Sequence, residues 1–163
     1  SIGAFGKIDI LINNAGIARK EDLLTSSLEH FDEAFKMNLR SAFILSQAVL
    51  PEMFSRKWGR LVFLSSIAAR QGGIVSAAYA STKAGVEGLM HYYAAHAGDA
   101  GITSNAIAPA FIDTDMFRAL SGGSERAGGL GSPSQVSDAI ELVVRNPFMN
   151  GQTIHVNGGR YMT

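Results

Sequence analysis

Four short apolar runs, separated by segments of helix length, constrain the fold of this chain more than any other feature. The first is Ile8-Asp9-Ile10-Leu11-Ile12, followed by Asn13-Asn14-Ala15-Gly16. The second is Leu61-Val62-Phe63-Leu64, followed by Ser65-Ser66. The third covers Ile102 to Ala108 and stops at Pro109, and the fourth is Thr153-Ile154-His155-Val156, closed by Gly158-Gly159. Runs with so little polar alternation suit strands buried on both faces. Strands that alternate with helices call for a parallel sheet.

Three helical patterns fill the gaps. The first opens with Ser26 and Glu29 at capping-box spacing and carries an apolar stripe of Phe31, Phe35, Ala42, Leu45 and Val49, interrupted by Asn38. The second begins near Tyr79 and sets Val86, Leu89, Met90, Tyr93 and Ala97 on one face. The third has Ser132 as N-cap, Pro133 at the first helical position and Gln135 to close the box. Its buried face is Val136, Ala139, Ile140, Val143 and Val144, and Asn146-Pro147 ends it. The expected order is βαβαβαβ, with right-handed crossovers that place helices over the sheet. That is an α/β fold, and we expect residues 1–163 to form one domain. Ligands of such sheets bind beyond the carboxyl ends of the strands, where Asn14, Ser66 and the segment after Pro109 all fall.

Composition narrows the function. Lys plus Arg equals Asp plus Glu, 14 each, with no basic stripe, which argues against nucleic acid as a partner. The cluster Arg56, Lys57 and Arg60 reads as a solvated helix end. The chain has no cysteine, which excludes disulfides, thiolate zinc sites and cysteine nucleophiles. This fits a reducing compartment, and a cytoplasmic location is the expectation. No apolar run approaches the roughly 18 residues of a membrane span, so no membrane partner is expected. His30, His91, His96 and His155 share no metal-ligand spacing, and His155 reads as a satisfied core or interface residue. No G-x-S-x-G elbow supports a serine hydrolase.

Several residues could carry chemistry. Tyr79 and Lys83 are four apart, so a helix places them on one face. A free phenol titrates near 10, and a neighbouring ammonium favours the phenolate, so the pair suits general acid/base work. The same spacing also arises by chance as a surface pair. Ser66 could hydrogen-bond a substrate carbonyl, or simply satisfy a strand end. Asn38 places an amide on a sheet-facing stripe, where it needs partners, structural or functional.

Taken together, Asn13-Asn14-Ala15-Gly16, Asn38, Ser66, Tyr79-Ala80-Ser81-Thr82-Lys83, Asn105-Ala106-Ile107-Ala108-Pro109 and Asn157-Gly158-Gly159 resemble the short-chain dehydrogenase/reductase family in order and spacing over nearly the whole chain. The resemblance implies a Rossmann-like three-layer sandwich, of which this chain supplies the C-terminal four strands and their helices. It implies NADP or NAD as cofactor and a small carbonyl or alcohol substrate. In that family hydride passes between nicotinamide and the substrate carbon while the tyrosine, here Tyr79, moves a proton. It implies that Lys83 holds the nicotinamide ribose and lowers the tyrosine pKa, that Ser66 orients the substrate oxygen, and that Asn38 anchors a water linked to the lysine. Asn14, Ala15 and Gly16 match the segment along the adenosine side, and Pro109, Ile112 and Thr114 the segment past the nicotinamide. Ala110 stands where the family usually has glycine. Ser121 to Gly131 resembles a short substrate-covering loop. The run Gly151 to Gly159 is similar to the ending of bacterial β-ketoacyl-carrier-protein reductases, which implies an acyl-carrier-bound substrate, although sugar and secondary-alcohol dehydrogenases end similarly. Family members pair through their long helices, so a homo-oligomer, dimer or tetramer, is expected, with Phe43, Ile44 and Tyr92 as apolar residues beyond a single stripe.

The family's Gly-rich pyrophosphate turn has no counterpart here, since no glycines fall at G-x-x-x-G-x-G or G-x-G-x-x-G spacing. The chain starts at Ser1 and enters at what corresponds to the fourth strand of seven, so a longer parent protein is expected. Strand Ile8 to Ile12 would then present an apolar edge that invites association. The rival reading is a non-catalytic interaction module built on this truncated frame.

Overall fold

The computed structural model describes residues 6–73, 75–122 and 129–162. Four strands form one parallel sheet in the order β1-β2-β3-β4: β1 Ile10–Asn13, β2 Gly59–Leu64, β3 Ile102–Pro109 and β4 Thr153–Val156. Register is simple, with Leu11 opposite Leu61, Val62 opposite Asn105 and Ile107 opposite Ile154. The first strand starts and ends later than the apolar run suggests, because pairing with β2 runs from Ile10 to Asn13. As an edge strand it leaves Ile10 and Ile12 exposed.

Both faces of the central strands are covered, as their composition predicts. Leu61, Phe63, Ile102 and Ala106 pack under one layer of helices, with Val49, Met53, Val86, Met90 and Tyr93. Val62, Leu64 and Ile107 face the other way, under Val136, Ile140 and Val143. The first layer holds α1 Leu28–Ala34, a wide helical turn Phe35–Arg40, α2 Ser41–Arg56 and α4 Ala77–Ala97. The second holds α6 Pro133–Arg145. Short helices α3 Ala68–Gln71 and α5 Asp115–Ser121 follow β2 and β3. None of the helices among the described residues is long and apolar enough to cross a membrane.

The first helical segment departs from its sequence pattern in three ways. Its N-cap is Ser27, which accepts from the His30 N–H at 3.2 Å, while the Ser26 hydroxyl turns back to the Asp22 carbonyl. Phe31 and Leu45 are exposed, and the inward line is Ala34, Asn38, Ala42, Ser46, Val49 and Met53. For the residues that follow it, the cause is the wide turn, where the Ser41 N–H reaches back five residues to the Lys36 carbonyl. Such π-type turns shift the phase of everything that follows. In α6, Gln135 accepts from the Ser132 N–H at 2.8 Å, as the capping box requires. α4 starts two residues before Tyr79, capped by Ser76, whose hydroxyl accepts from the Tyr79 N–H.

Arg60 is a correction. It is buried, not solvated, and its guanidinium donates to the carbonyls of Gly59, Gly101 and Val144. The Val144 carbonyl lies in the last turn of α6, where carbonyls lack helical partners and a cation satisfies them. Gly101 closes the turn into β3 with φ of +72°, and a Cβ there would lie 2.3 Å from the Lys57 carbonyl oxygen. Gly101→Ala therefore combines a left-handed backbone with a backbone clash and should cost about 2 kcal/mol or more. Urea unfolding checks this, and a variant with an unchanged midpoint would contradict it.

Candidate functional site

The site is assembled where the carboxyl end of β2 meets the first turns of α4. Lys83 is buried, and its Nζ donates to the Leu64 carbonyl at 2.7 Å. That bond ties α4 to the last residue of β2. Tyr79, one turn earlier, places its ring centroid 5.6 Å from the same Nζ. Ser66 lies just beyond β2, where its hydroxyl accepts from the Ala68 N–H at 3.1 Å and its side chain hydrogen-bonds Tyr79. Ser66, Tyr79 and Lys83 thus share one neighbourhood, with Tyr79 and Lys83 on one helix face as their spacing predicts.

Asn38 joins them through the wide turn. Its Oδ1 accepts from the Ile17 N–H at 2.7 Å, and its Nδ2 donates to the Ile17 carbonyl at 3.0 Å and to Thr82 Oγ1 at 3.1 Å. The amide behaves as one more strand residue for the segment after β1 and fastens that segment to α4. Gly16 passes close by, and a Cβ there would meet Asn38 Oδ1 at 3.2 Å and Lys83 Nζ at 3.6 Å. A glycine is what lets the backbone run this close to both groups. Asn14 and Ala15 are exposed at the carboxyl end of β1, and the Asn14 N–H folds back onto the Ile12 carbonyl.

The third strand contributes its end as well. The Pro109 carbonyl accepts from the Ile67 N–H at 3.1 Å, which joins the loop after β3 to the loop holding Ser66. Ala110, in place of glycine, donates its N–H to Val156 at 3.0 Å and is tolerated within the sheet's extension. Ile112 is buried and bridges to Gly131. Thr114 caps α5, accepting from the Phe117 N–H at 3.2 Å, so its hydroxyl already has a structural use. Of the Ser121 to Gly131 loop, residues 123–128 lie outside the described residues.

The electrostatics differ from the simple expectation. Burial pushes the Tyr79 phenol above its ordinary value, and the hydrogen bond with Ser66 offsets part of this. Burial also lowers Lys83, to about 8. One ammonium hydrogen goes to the Leu64 carbonyl, and the net effect on the phenol is upward because burial outweighs the rest. The two groups therefore titrate further apart than free side chains would, with the lysine now below the phenol.

Several supporting residues had no role assigned from the sequence. Thr82 bridges Asn38 and the Tyr79 carbonyl, donating to the latter at 2.9 Å. Ser65 donates to the buried Glu87 at 2.8 Å, and Glu87 pairs with Arg70 at 2.6 Å. Asn105 lies within the third apolar run and fastens the approach to β4, bonding Met149 and Gln152. A polar residue inside an apolar run was the available signal for Asn105, whereas Glu87 looked like any helix carboxylate. Among the described residues no group of three His, Asp or Glu side chains could hold a metal. His155 packs its ring on Tyr161, and its buried Nδ1 has no hydrogen-bond partner, so it is not a satisfied core residue.

This geometry has close parallels. A sequence model described as short chain dehydrogenase matches residues 2–124. The chain belongs to the short-chain dehydrogenase family. Within this family of NAD(P)-dependent oxidoreductases it is 38% identical to the 3-oxoacyl-[acyl-carrier-protein] reductase FabG of Escherichia coli K12, over 97% of this chain and 68% of the relative. Identity to the FabG of Aquifex aeolicus is 36%, over 94% of this chain and 66% of that one. Among solved structures, ElxO with NADP bound superposes with a TM-score of 0.89 at 29% identity, over 97% of this chain and 69% of that chain. A 3-oxoacyl-[acyl-carrier protein] reductase from Brucella melitensis gives 0.87 at 30% identity, over 99% and 66%.

The short-chain dehydrogenase cofactor is compatible with the donor set present. The bond to Leu64 uses one of three hydrogens on the Lys83 ammonium, and a ribose diol needs such donors. Gly16 gives the close backbone approach beside it.

A buried ammonium is costly to keep charged. A pKa lowered from 10.5 to about 8 corresponds to roughly 3 kcal/mol. The sign follows from proton binding: the folded state resists the proton, so this cost is full below about pH 8 and fades as pH rises toward the unfolded value. Lys83→Met should raise the stability of the cofactor-free protein at pH 7 by about 1–3 kcal/mol after the lost bond to Leu64, and by less at pH 10. Denaturant unfolding at both values checks this, and a less stable variant at pH 7 would count against it.

Proposed function

We propose that this chain is the catalytic portion of an NADP-dependent 3-oxoacyl-thioester reductase, and that residues 1–163 form one domain of it. The observation that carries the reading is the convergence of Ser66, Tyr79 and Lys83 at the carboxyl end of β2, with Asn38 fastened alongside. The relatives named as 3-oxoacyl-[acyl-carrier-protein] reductases support the substrate class, and the neighbour solved with NADP bound supports the nucleotide.

When bound, the nicotinamide supplies the hydride that reduces the substrate carbon, and the protein supplies position and a proton. Ser66 donates to the carbonyl oxygen and fixes its distance from Tyr79. Tyr79 gives that oxygen its phenolic proton as negative charge develops there. A phenol kept protonated by burial is suited to donate at neutral pH. Lys83 holds the ribose diol with the ammonium hydrogens that Leu64 does not take, and its charge stabilises the phenolate left behind. Asn38 holds Ile17 and Thr82, which keeps the cofactor-side segment against α4, and it would anchor a water linked to the lysine. Asn14, Ala15 and Gly16 would line the adenosine side, and Pro109, Ile112 and Thr114 the nicotinamide side. Overall, a 3-oxoacyl thioester, NADPH and a proton become a 3-hydroxyacyl thioester and NADP⁺.

The test uses the intact natural protein with NADPH and 3-oxoacyl thioesters on a carrier protein, followed by cofactor oxidation. Turnover of these thioesters well above that of simple ketones is expected. Absence of turnover with them, beside activity on secondary alcohols or sugars, would overturn the substrate assignment. Tyr79→Phe should fold normally and lose about 10²-fold or more in kcat. Near-normal activity in that variant would remove Tyr79 from the mechanism.

The helices also bear on assembly. Phe43, Ile44 and Tyr92 are exposed, and the groove between α2 and α4 is lined by Phe35, Leu39, Phe43, Leu89 and Tyr92. An apolar surface of this kind fits a second copy of the same chain. Light scattering should read two or four times the monomer mass, and Tyr92→Glu should lower it. A monomeric wild type would refute this assembly.

A further inference from the structure

Glu87 is a buried carboxylate on α4, one turn beyond Lys83, and the proposed reaction makes no use of it. A carboxylate buried to this degree needs compensation from defined partners. It has two. The Ser65 hydroxyl donates to Oε1 at 2.8 Å, and Arg70 pairs with Oε2 at 2.6 Å. These partners lie at the two ends of one short segment. Ser65 is the first residue after β2, and Arg70 is in α3. Ser66 lies between them.

We propose that Glu87 is a positioning residue that clamps the Ser65–Arg70 segment at both ends and so sets where the Ser66 hydroxyl stands relative to Tyr79. The inference rests on the reading of Ser66 and Tyr79 given above. The clamp is built on the same helix as Tyr79 and Lys83, so one rigid element carries the proton donor and also holds the loop bearing its partner. Two further bonds show how closely the loop follows that helix and sheet. Lys83 Nζ holds the Leu64 carbonyl just before Ser65, and the Ile67 N–H is held by the Pro109 carbonyl. Neither acts on Arg70 or the α3 end. Without Glu87 the α3 end would depend on an exposed bond, from Gln71 Nε2 to the Arg160 carbonyl at 3.2 Å. The Ser66 hydroxyl also accepts from Ala68 within that turn, so rotation of α3 would carry it along. A displacement of about 1 Å at a reacting group costs up to about 100-fold in rate.

The experiment compares Glu87→Ala, Glu87→Gln and Ser65→Ala in the intact protein, with Tyr79→Phe alongside. Rates are expressed per cofactor-binding chain, from NADPH titration, so that loss of folded protein is removed from the comparison. For Glu87→Ala we expect kcat down about tenfold or more, with KM for NADPH within about twofold of wild type. Glu87→Gln keeps an acceptor for Ser65 and should recover part of the loss. Ser65→Ala should lose about threefold or more. A kcat per cofactor-binding chain within about twofold of wild type in Glu87→Ala overturns the proposal. If that variant does not fold, the same threshold applied to both Glu87→Gln and Ser65→Ala decides. Loss confined to KM for NADPH also overturns it, because a clamp on Ser66 acts on the chemical step. Should Tyr79→Phe remain active, the reading of the site itself has failed; should only Tyr79→Phe be impaired, the clamp alone has failed.

Discussion

The bond from the Lys83 ammonium to the Leu64 carbonyl is the constraint from which the rest of the site takes its geometry. It joins the second turn of α4 to the final residue of the central strand β2. A buried cation accepts such a position only with a strong acceptor at hand, and the end of a parallel strand provides one. With that anchor made, Tyr79 is placed over the mouth of the sheet, Ser66 is brought to it, and Gly16 has to pass within reach of both Asn38 and Lys83. Burial lowers the tendency of the lysine to stay charged, and the proposed reduction calls for that charge against the preference of the fold. That is the usual opposition between stability and activity at a working centre.

The wide turn Phe35–Arg40 acts as the second hinge of the arrangement. A regular helix through Asn38 would have continued the Phe31 and Leu45 stripe inward. The π-type turn instead brings Asn38, Ala42, Ser46 and Val49 onto the sheet side and aims the Asn38 amide at Ile17 and Thr82. The segment after β1 has no strand partner on the α4 side, and the amide supplies the donor and acceptor that a strand would have. Polar groups placed in this way, fully bonded and between elements, specify one alignment of the layers more sharply than apolar contact does. Polar ties recur elsewhere: Asn105 holds the approach to β4, Arg60 closes the carboxyl end of α6, and Asn13 donates to Ser46 below the site at 3.3 Å.

Much of the architecture was legible in the chain because its cause is local. Runs such as Leu61–Leu64 and Ile102–Ala108 are apolar at every step since both faces of a central parallel strand are covered. Ser132 with Gln135, and Asn146 with Pro147, mark the ends of α6 through bonds between near neighbours. Tyr79 and Lys83 share a face because a helix repeats every 3.6 residues. The inward place of Leu45 and the solvated Arg60 misled for the opposite reason. Each was decided by a partner distant in sequence or by a shift in helical phase that no propensity encodes.

By itself, then, the sequence determined the alternation of strands and helices, the parallel sheet, and the residues that can exchange protons, since these follow from periodicity, side-chain chemistry and local caps. Only the tertiary structure decided how those residues act on one another. Whether Lys83 lowers the phenol or holds a carbonyl depends on the strand end it meets. Whether Asn38 is a core defect or a fastening depends on Ile17, 21 residues away in the chain. Whether Glu87 is a surface charge or a clamp depends on the burial that packing imposes. Burial and distance across elements set the dielectric and the available partners, and neither is a property of a residue in its own segment.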